Sequence, residues 1–158
     1  MKILTRLMPF LAAVCWLTGC AVAPAPATLA QTLSSQPQWH TFTELVQSAG
    51  LIGTLAGPGP TTVFAPTDDA FRALPAATLQ ALRDDPVRLK SVMGYHLVPA
   101  AVASTDVRNG PVKTVQGTEL SLYRSGTFLT ADDALVTAAD VRASNGVIHT
   151  VDKVLIPR

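Results

Sequence analysis

Cysteine is scarce in this chain, and both cysteines lie close to its beginning. Cys15 and Cys20 fall within the first twenty of 158 residues. If the chain is cut before Cys20 and that thiol carries a lipid, as the motif described below predicts, no free thiol remains. A disulfide and a thiolate metal site are then both excluded, and the domain must fold on its apolar core alone.

Charge of either sign is also sparse. Charged residues make up 15% of the chain, with 12 Lys and Arg against 11 Asp and Glu. Removal of a leader containing Lys2 and Arg6 leaves ten basic side chains against eleven acidic ones. Nucleic-acid binding needs clustered positive charge, so this near-neutral balance argues against a nucleic-acid partner. No cofactor motif stands out either.

The longest apolar run, residues 7–17, is too short to span a bilayer. It follows Lys2 and Arg6 and ends in Leu17-Thr18-Gly19-Cys20, which resembles the bacterial lipobox. We therefore predict a lipoprotein signal peptide over 1–19 and a lipid on Cys20, the alternative being an ordinary secretory signal cut slightly later. Because Ala21, not aspartate, follows the cysteine, the sorting rule of bacteria with two membranes predicts an outer-membrane location.

Small residues and proline follow the cysteine, in the sequence Ala-Val-Ala-Pro-Ala-Pro-Ala-Thr. Such a stretch favours extended polyproline geometry and has little surface to bury. We predict a tether over 20–30 and a single domain over 31–158.

Motifs for catalysis are missing from this domain. There is no Gly-x-Ser-x-Gly elbow, no His-Glu-x-x-His and no EF-hand loop. His40, His96 and His149 are far apart in sequence, and the last two sit in apolar surroundings typical of hydrogen-bonded core histidines. No metal site is predicted, and a hydrolase using His96 or His149 stays the least favoured alternative.

Three short patterns predict helix starts. Thr41 and Glu44 have the spacing of a capping box. Thr67 supplies an N-cap hydroxyl directly before Asp68 and Asp69, which suit the positive end of a helix. These two acids therefore mark a helix start and need no catalytic role. The third pattern is Asp85-Pro86, a capping acid before a proline in the first helical position.

Period-two patterns follow the helical ones. Strands are predicted over 61–65, 95–98, 112–115, 119–123, 128–129, 135–141 and 147–156, with tight turns at Ser125-Gly126 and Asn145-Gly146. Helices first and strands afterwards predict an α+β, mainly β domain.

Three segments together resemble the signature of fasciclin domains: TVFAPTDDAF at 62–71, Tyr95-His96, and NGVIHTVDKVLIP at 145–157. Their order and spacing match, over roughly residues 36–157. The signature positions in the first and last segments are Phe64, Pro66, Thr67, Asp68, Phe71, Asn145, Gly146, Ile148 and His149. The resemblance implies a wedge-shaped β-sandwich of about seven strands, with a cluster of short helices at one edge and the first and last signature strands side by side.

The resemblance also implies an adhesion or binding role without catalysis. In animal members integrin contact is attributed to an Asp-Ile pair and to the Tyr-His neighbourhood, which correspond here to Asp140-Val141 and Tyr95-His96. Val141 departs from isoleucine, so the surface is carried over as a partner contact and the integrin is not. The expected partner is an unidentified protein or polysaccharide, and a small apolar ligand is the alternative.

Overall fold

The computed structural model describes residues 26–157, in which six short helices lie mostly before a run of strands. The helices are α1 (Leu29–Ser35), α2 (His40–Ser48), α3 (Ile52–Ala56), α4 (Asp68–Arg72), α5 (Ala76–Asp84) and α6 (Pro86–Tyr95), with a 3-10 turn at Pro37–Trp39. The strands are β1 (Thr61–Pro66), β2 (Leu97–Val98), β3 (Gly110–Lys113), β4 (Glu119–Ser125), β5 (Phe128–Ala131), β6 (Ala134–Ala143) and β7 (Gly146–Val151). The predicted α+β class is confirmed.

The seven strands form one sheet in the order β2-β1-β7-β6-β5-β4-β3. Strands β1 and β7 run parallel, with Val63 opposite Ile148 and Phe64 opposite His149. The other paired strands are antiparallel. The segment after β3 returns to the far edge, where the Val115 N–H donates to the Leu97 carbonyl at 2.7 Å, so the sheet is nearly closed. The two signature strands are therefore neighbours, as predicted.

Two apolar cores lie on the two faces of this sheet. One joins the helices to β1 and β7 and includes Trp39, Phe42 and Ile148. The other lies inside the folded sheet and includes Phe64 and Leu122. All six residues of β1 are buried, because a central parallel strand is covered on both faces.

Two of the three predicted helix starts are as expected. The Thr67 hydroxyl accepts from the Ala70 N–H at 3.2 Å, and Asp85 caps α6. The capping box at Thr41 is wrong, since α2 begins at His40 and no side chain of its own caps it. Instead the Asp68 carboxylate accepts from the Thr41 N–H at 2.9 Å. Helix α2 is thus capped by Asp68 of α4.

Two predicted strands are shorter than expected. Tyr95 ends α6 and His96 caps it, so only Leu97 and Val98 are extended. The His96 ring binds the Val92 carbonyl one helical turn earlier, which favours helix there. Strand β7 ends at Val151 because Asp152 turns the chain, exchanging hydrogen bonds with Leu135.

The folded unit begins earlier than the predicted boundary at residue 31. Helix α1 starts at Leu29, which is fully buried, and Thr28 caps it with a complete capping box. Leu29 and Ala30 therefore belong to the domain, because their burial fixes them to the core. The predicted signal peptide over 1–19, Cys20 and the first part of the tether lie outside the described residues and stay predictions.

Candidate functional site: a loop fixed over a bulged strand

The site is built on His149, a fully buried residue of β7. Its Nδ1 accepts the Asp140 backbone N–H at 3.3 Å, and its Nε2 donates to the Val102 carbonyl at 2.7 Å. One nitrogen must accept while the other donates, so the ring is neutral with its proton on Nε2. The imidazole therefore connects β7 to the loop that contains Val102.

Asp140 interrupts β6 at an irregular point of its pairing with β7. Its φ of 60° lies in the left-handed region, which aspartate tolerates better than most residues. The carboxylate faces the loop and accepts from both the backbone N–H of Ser104, at 2.8 Å, and the Ser104 hydroxyl. The bulge thereby aims Asp140 at the loop, the re-aiming of a side chain typical of bulges.

Thr62 of β1 provides a further attachment for the loop. Its hydroxyl donates to the Ala100 carbonyl at 2.6 Å and accepts the Val102 N–H at 2.9 Å. Every second loop residue, at 100, 102 and 104, is therefore bound to the sheet. We call residues 99–106 together with 138–143 the loop–bulge surface.

The charges within this cluster are distributed asymmetrically. Burial lowers the pKa of His149 below its ordinary value, although the Val102 carbonyl and Asp140 oppose that effect. Partial burial acts to raise the pKa of Asp140, but the hydrogen bonds from Ser104, together with His149 and Arg142, outweigh it and lower the pKa. At neutral pH the site therefore holds a neutral imidazole and an ionised carboxylate.

A shallow groove of about 370 Å³ runs along one side of the loop–bulge surface. It is lined by Pro58, Pro60, Ala101, Ala103, Asp140, Arg142, Ala143, Ser144, Asn145, Gly146 and Val147. Arg142 and Ala101 are exposed, whereas Asp140 and Val141 are half-buried. A rigid, mostly small-residue surface of this kind can bind a partner without first being ordered.

Tyr95 and His96 do not lie on this surface, which corrects their assignment as partner contacts. Tyr95 is 4% exposed and its hydroxyl reaches Asp132 at 2.7 Å, while His96 is fully buried. The His96 Nδ1 donates to the Val92 carbonyl at 2.8 Å, and its Nε2 accepts the Leu155 N–H at 3.0 Å. Both residues therefore stabilise the interior through hydrogen bonds.

The remaining signature residues hold the framework. Asn145 is buried; its amide donates to the carbonyls of Leu55, at 2.8 Å, and Gly57, at 2.6 Å, while its oxygen accepts from the Leu29 N–H at 2.8 Å. Phe64 stacks near His149 with ring centroids 5.4 Å apart. Phe71 and Ile148 are core residues, and Pro66 ends β1. These positions determine how the site is supported.

The geometry offers no ready acid–base pair around the two histidines. In both rings one nitrogen accepts a main-chain N–H and the other donates to a main-chain carbonyl, and the Ser104 hydroxyl is bound to Asp140 instead of an imidazole. Within residues 26–157 no three His, Cys, Asp or Glu side chains are grouped closely enough to hold a metal ion. Nor does any described helix have the length and apolarity needed to cross a bilayer.

Comparison with known families identifies the fold. The Fasciclin domain model matches residues 37–157. This chain belongs to the fasciclin family. The resemblance found in the three sequence segments is therefore confirmed.

Two fasciclin relatives cover most of the chain. Protein sll1483 of Synechocystis sp. is 35% identical over 139 residues, which are 87% of this chain and 77% of that protein. Cell surface glycolipoprotein MPB83 of Mycobacterium bovis is 33% identical over 144 residues, 88% of this chain and 64% of that protein. The chain thus spans less than two thirds of MPB83.

A solved structure confirms the fasciclin fold. The FAS1 domain pair from the insect cell adhesion molecule Fasciclin I superposes with a TM-score of 0.69 at 17% identity, covering 83% of this chain and 51% of that one. Fasciclin domains generally serve as adhesion or binding modules.

Sequence reasoning missed Thr62, Val102 and Ser104, which complete the site. One signal was available, because aspartate is depleted in strands and Asp140 interrupts an otherwise regular strand pattern. No pattern in the sequence pairs it with Ser104, 36 residues earlier.

Proposed function

We propose that this protein is a non-catalytic adhesion or binding module of the cell envelope, and that the loop–bulge surface contacts its partner. One observation carries the proposal: an exposed loop is attached at alternate residues to the central strands by Thr62, His149 and Asp140. Such attachment fixes a recognition surface, which limits the conformational entropy lost on binding. The family's general role in adhesion supports it.

Partner binding can be tested with immobilised envelope fragments and a glycan array. We expect Ala101→Arg combined with Arg142→Glu to reduce bound protein at least about tenfold, because both side chains are exposed on the proposed contact. Arg83→Glu, at an exposed position of α5, is the matched control and should bind as the unchanged protein does. Equal binding by the unchanged protein, the double variant and Arg83→Glu would refute the assignment of this surface.

Support for the lipid anchor comes from Leu17-Thr18-Gly19-Cys20 and from the name of MPB83 as a cell-surface glycolipoprotein. Cys20→Ala should abolish incorporation of labelled palmitate and release the protein from the membrane fraction. Separation of inner from outer membranes tests the predicted outer-membrane location. Retention of the Cys20→Ala protein in membranes would contradict the lipid anchor. It would not test the loop–bulge surface.

A further inference from the structure

A second groove lies on another part of the molecule and shares no residue with the loop–bulge surface. It has a volume of about 440 Å³, within the range of about 300–1,000 Å³ for small-molecule sites. The groove is lined by Leu51, Pro86, Val87, Lys90, Ser91, Gly94, Val115 and Gln116. It therefore lies between the helices and the segment that follows β3.

One face of α6 forms the floor. Val87, Lys90, Ser91 and Gly94 have the spacing i, i+3, i+4 and i+7, which places them on one side of a helix. The opposite side, with Leu89, Val92 and Met93, is packed into the core. Small residues at 91 and 94 leave room, and a Cβ on Gly94 would lie 3.2 Å from the Gln116 Cβ.

The walls carry apolar side chains that are partly or largely exposed. Val87 is 79% exposed, and Val115, across the groove, is 37% exposed. Exposed aliphatic residues gathered along a groove are a feature of interaction sites, whereas isolated ones are ordinary. The walls fit an apolar chain.

The polar side chains that line the groove are those of Lys90, Ser91 and Gln116, and each carries a hydrogen-bond donor. Lys90 is the charged residue among those lining it, and within the described part of the chain its ammonium has no ion pair or hydrogen bond. The Gln116 side-chain oxygen accepts from the N–H and hydroxyl of Thr118, which leaves the amide Nε2 with no partner among the same residues. A lysine also lays its aliphatic stem on apolar surface while its charge stays at the rim.

We infer that this groove binds a fatty acid, with its acyl chain between Val87 and Val115 and its carboxylate at Lys90 and Gln116. One cation and one amide match a single negative charge. The N–H groups of Val87 and Arg88 at the start of α6, which could otherwise bind a phosphate, already donate to Asp85. The nearest acid in sequence, Asp85, is occupied in capping α6.

Calorimetric titration with dodecanoate, and with dodecanol as its uncharged counterpart, tests the inference. The full chain carrying Cys20→Ala is used, so that no acyl group on the protein competes. We expect saturable one-to-one binding of dodecanoate. Lys90→Met should weaken dodecanoate about three- to fivefold, as for an exposed ion pair, and leave dodecanol unchanged.

Matched variants separate the groove from general effects. Arg88→Met removes another exposed cation of α6 that lies outside the groove and should change neither affinity. Ser91→Leu fills the floor and should weaken both ligands at least about tenfold. If that variant does not fold, Val87→Ser alters a 79% exposed wall residue and should still weaken both.

Several outcomes would overturn the inference. They are non-saturable binding of dodecanoate, an equal loss of dodecanoate affinity in Lys90→Met and Arg88→Met, or no loss of affinity in Val87→Ser. Binding of lysophosphatidylcholine as tight as that of dodecanoate would also overturn it. The last result would assign the groove to phospholipids. None of these results bears on the loop–bulge surface.

Discussion

The two buried histidines carry opposite tautomers. His96 donates through Nδ1 and accepts through Nε2, whereas His149 does the reverse. Each ring satisfies one main-chain N–H and one carbonyl that would otherwise be unpaired in the interior. Protonation removes the accepting nitrogen, so the charged form is incompatible with both sets of contacts.

Stability should therefore fall in mild acid. Burial lowers the pKa of His96 from 6.5 to about 4, and the pKa of His149 shifts in the same direction. Between these values the unfolded chain binds more protons than the folded one, so stability is full above pH 6.5 and decreases as the pH falls towards 4. His96 alone contributes roughly 3 kcal/mol to this loss. Urea unfolding at a series of pH values measures it.

His96→Gln provides the control for this pH dependence. Glutamine can donate and accept but does not titrate, so the variant should be less stable at neutral pH by about 1–3 kcal/mol. It should also lose less stability on acidification. An unchanged pH dependence would show that other groups cause it.

At the scale of secondary structure, two adjacent acids on α4 have different roles. Asp68 caps the N-terminus of α2 through the Thr41 N–H, at 2.9 Å. Asp69 pairs with Arg72 at 2.6 Å, where both side chains are at least three-quarters exposed. The first contact joins two helices, while the second is local and screened by water.

Asp68→Ala should lower the free energy of unfolding by about 1 kcal/mol, the typical effect of losing an N-cap. Asp69→Ala serves as the neighbouring control and should change it by less than about 0.5 kcal/mol. Denaturant midpoints measure both. Equal effects would mean that the cap between helices contributes nothing.

Local signals explain which elements the sequence could predict. Thr67 and Asp85 cap the helices that follow them directly, so their patterns were sufficient. The start of α2 depends on Asp68, 27 residues away from Thr41, and no local pattern contains that contact. The Tyr95-His96 pair looked extended because its apolar neighbours suit either structure, and only the bond from His96 to Val92 decides for a helix end.

For the whole molecule, the parallel pair of β1 and β7 joins the helical half to the hairpins. Gly146 begins β7 opposite Thr61. A Cβ there would overlap the Thr61 carbonyl oxygen and lie 2.8 Å from the Leu29 side chain. The closeness of two backbones, and not a turn, requires glycine at this position.

Gly146→Ala should therefore destabilise the protein by about 3 kcal/mol or more, because backbone atoms at the sheet's centre must move. Gly53→Ala is the comparison: it adds a methyl group at an exposed position of α3 with nothing within 4 Å, and should stabilise by about 0.5–1 kcal/mol. Thermal unfolding distinguishes them. A stable Gly146→Ala protein would contradict the role of this close approach.

The sequence revealed the family and fold through its signature segments, but only part of the site. Asp140 was reached by resemblance, which also named Tyr95 and His96 as partner contacts, although both are buried. The apolar neighbours of His96 correctly indicated a core histidine, but its bond to the Leu155 N–H, 59 residues away, is a tertiary contact that a linear pattern does not contain. Ser104 and Thr62 enter the site through contacts more than 35 residues apart in sequence.

The N-terminal entry of the chain has a mechanical consequence. The Ala27 carbonyl accepts from the Ser144 N–H at 2.8 Å, and the Leu29 N–H is held by Asn145, so the chain enters beside the groove of the loop–bulge surface. In a molecule held from its N-terminal end and gripped at that surface, tension would run through the turn between β6 and β7. The load would also reach Leu29, whose burial in the helical core would have to resist it.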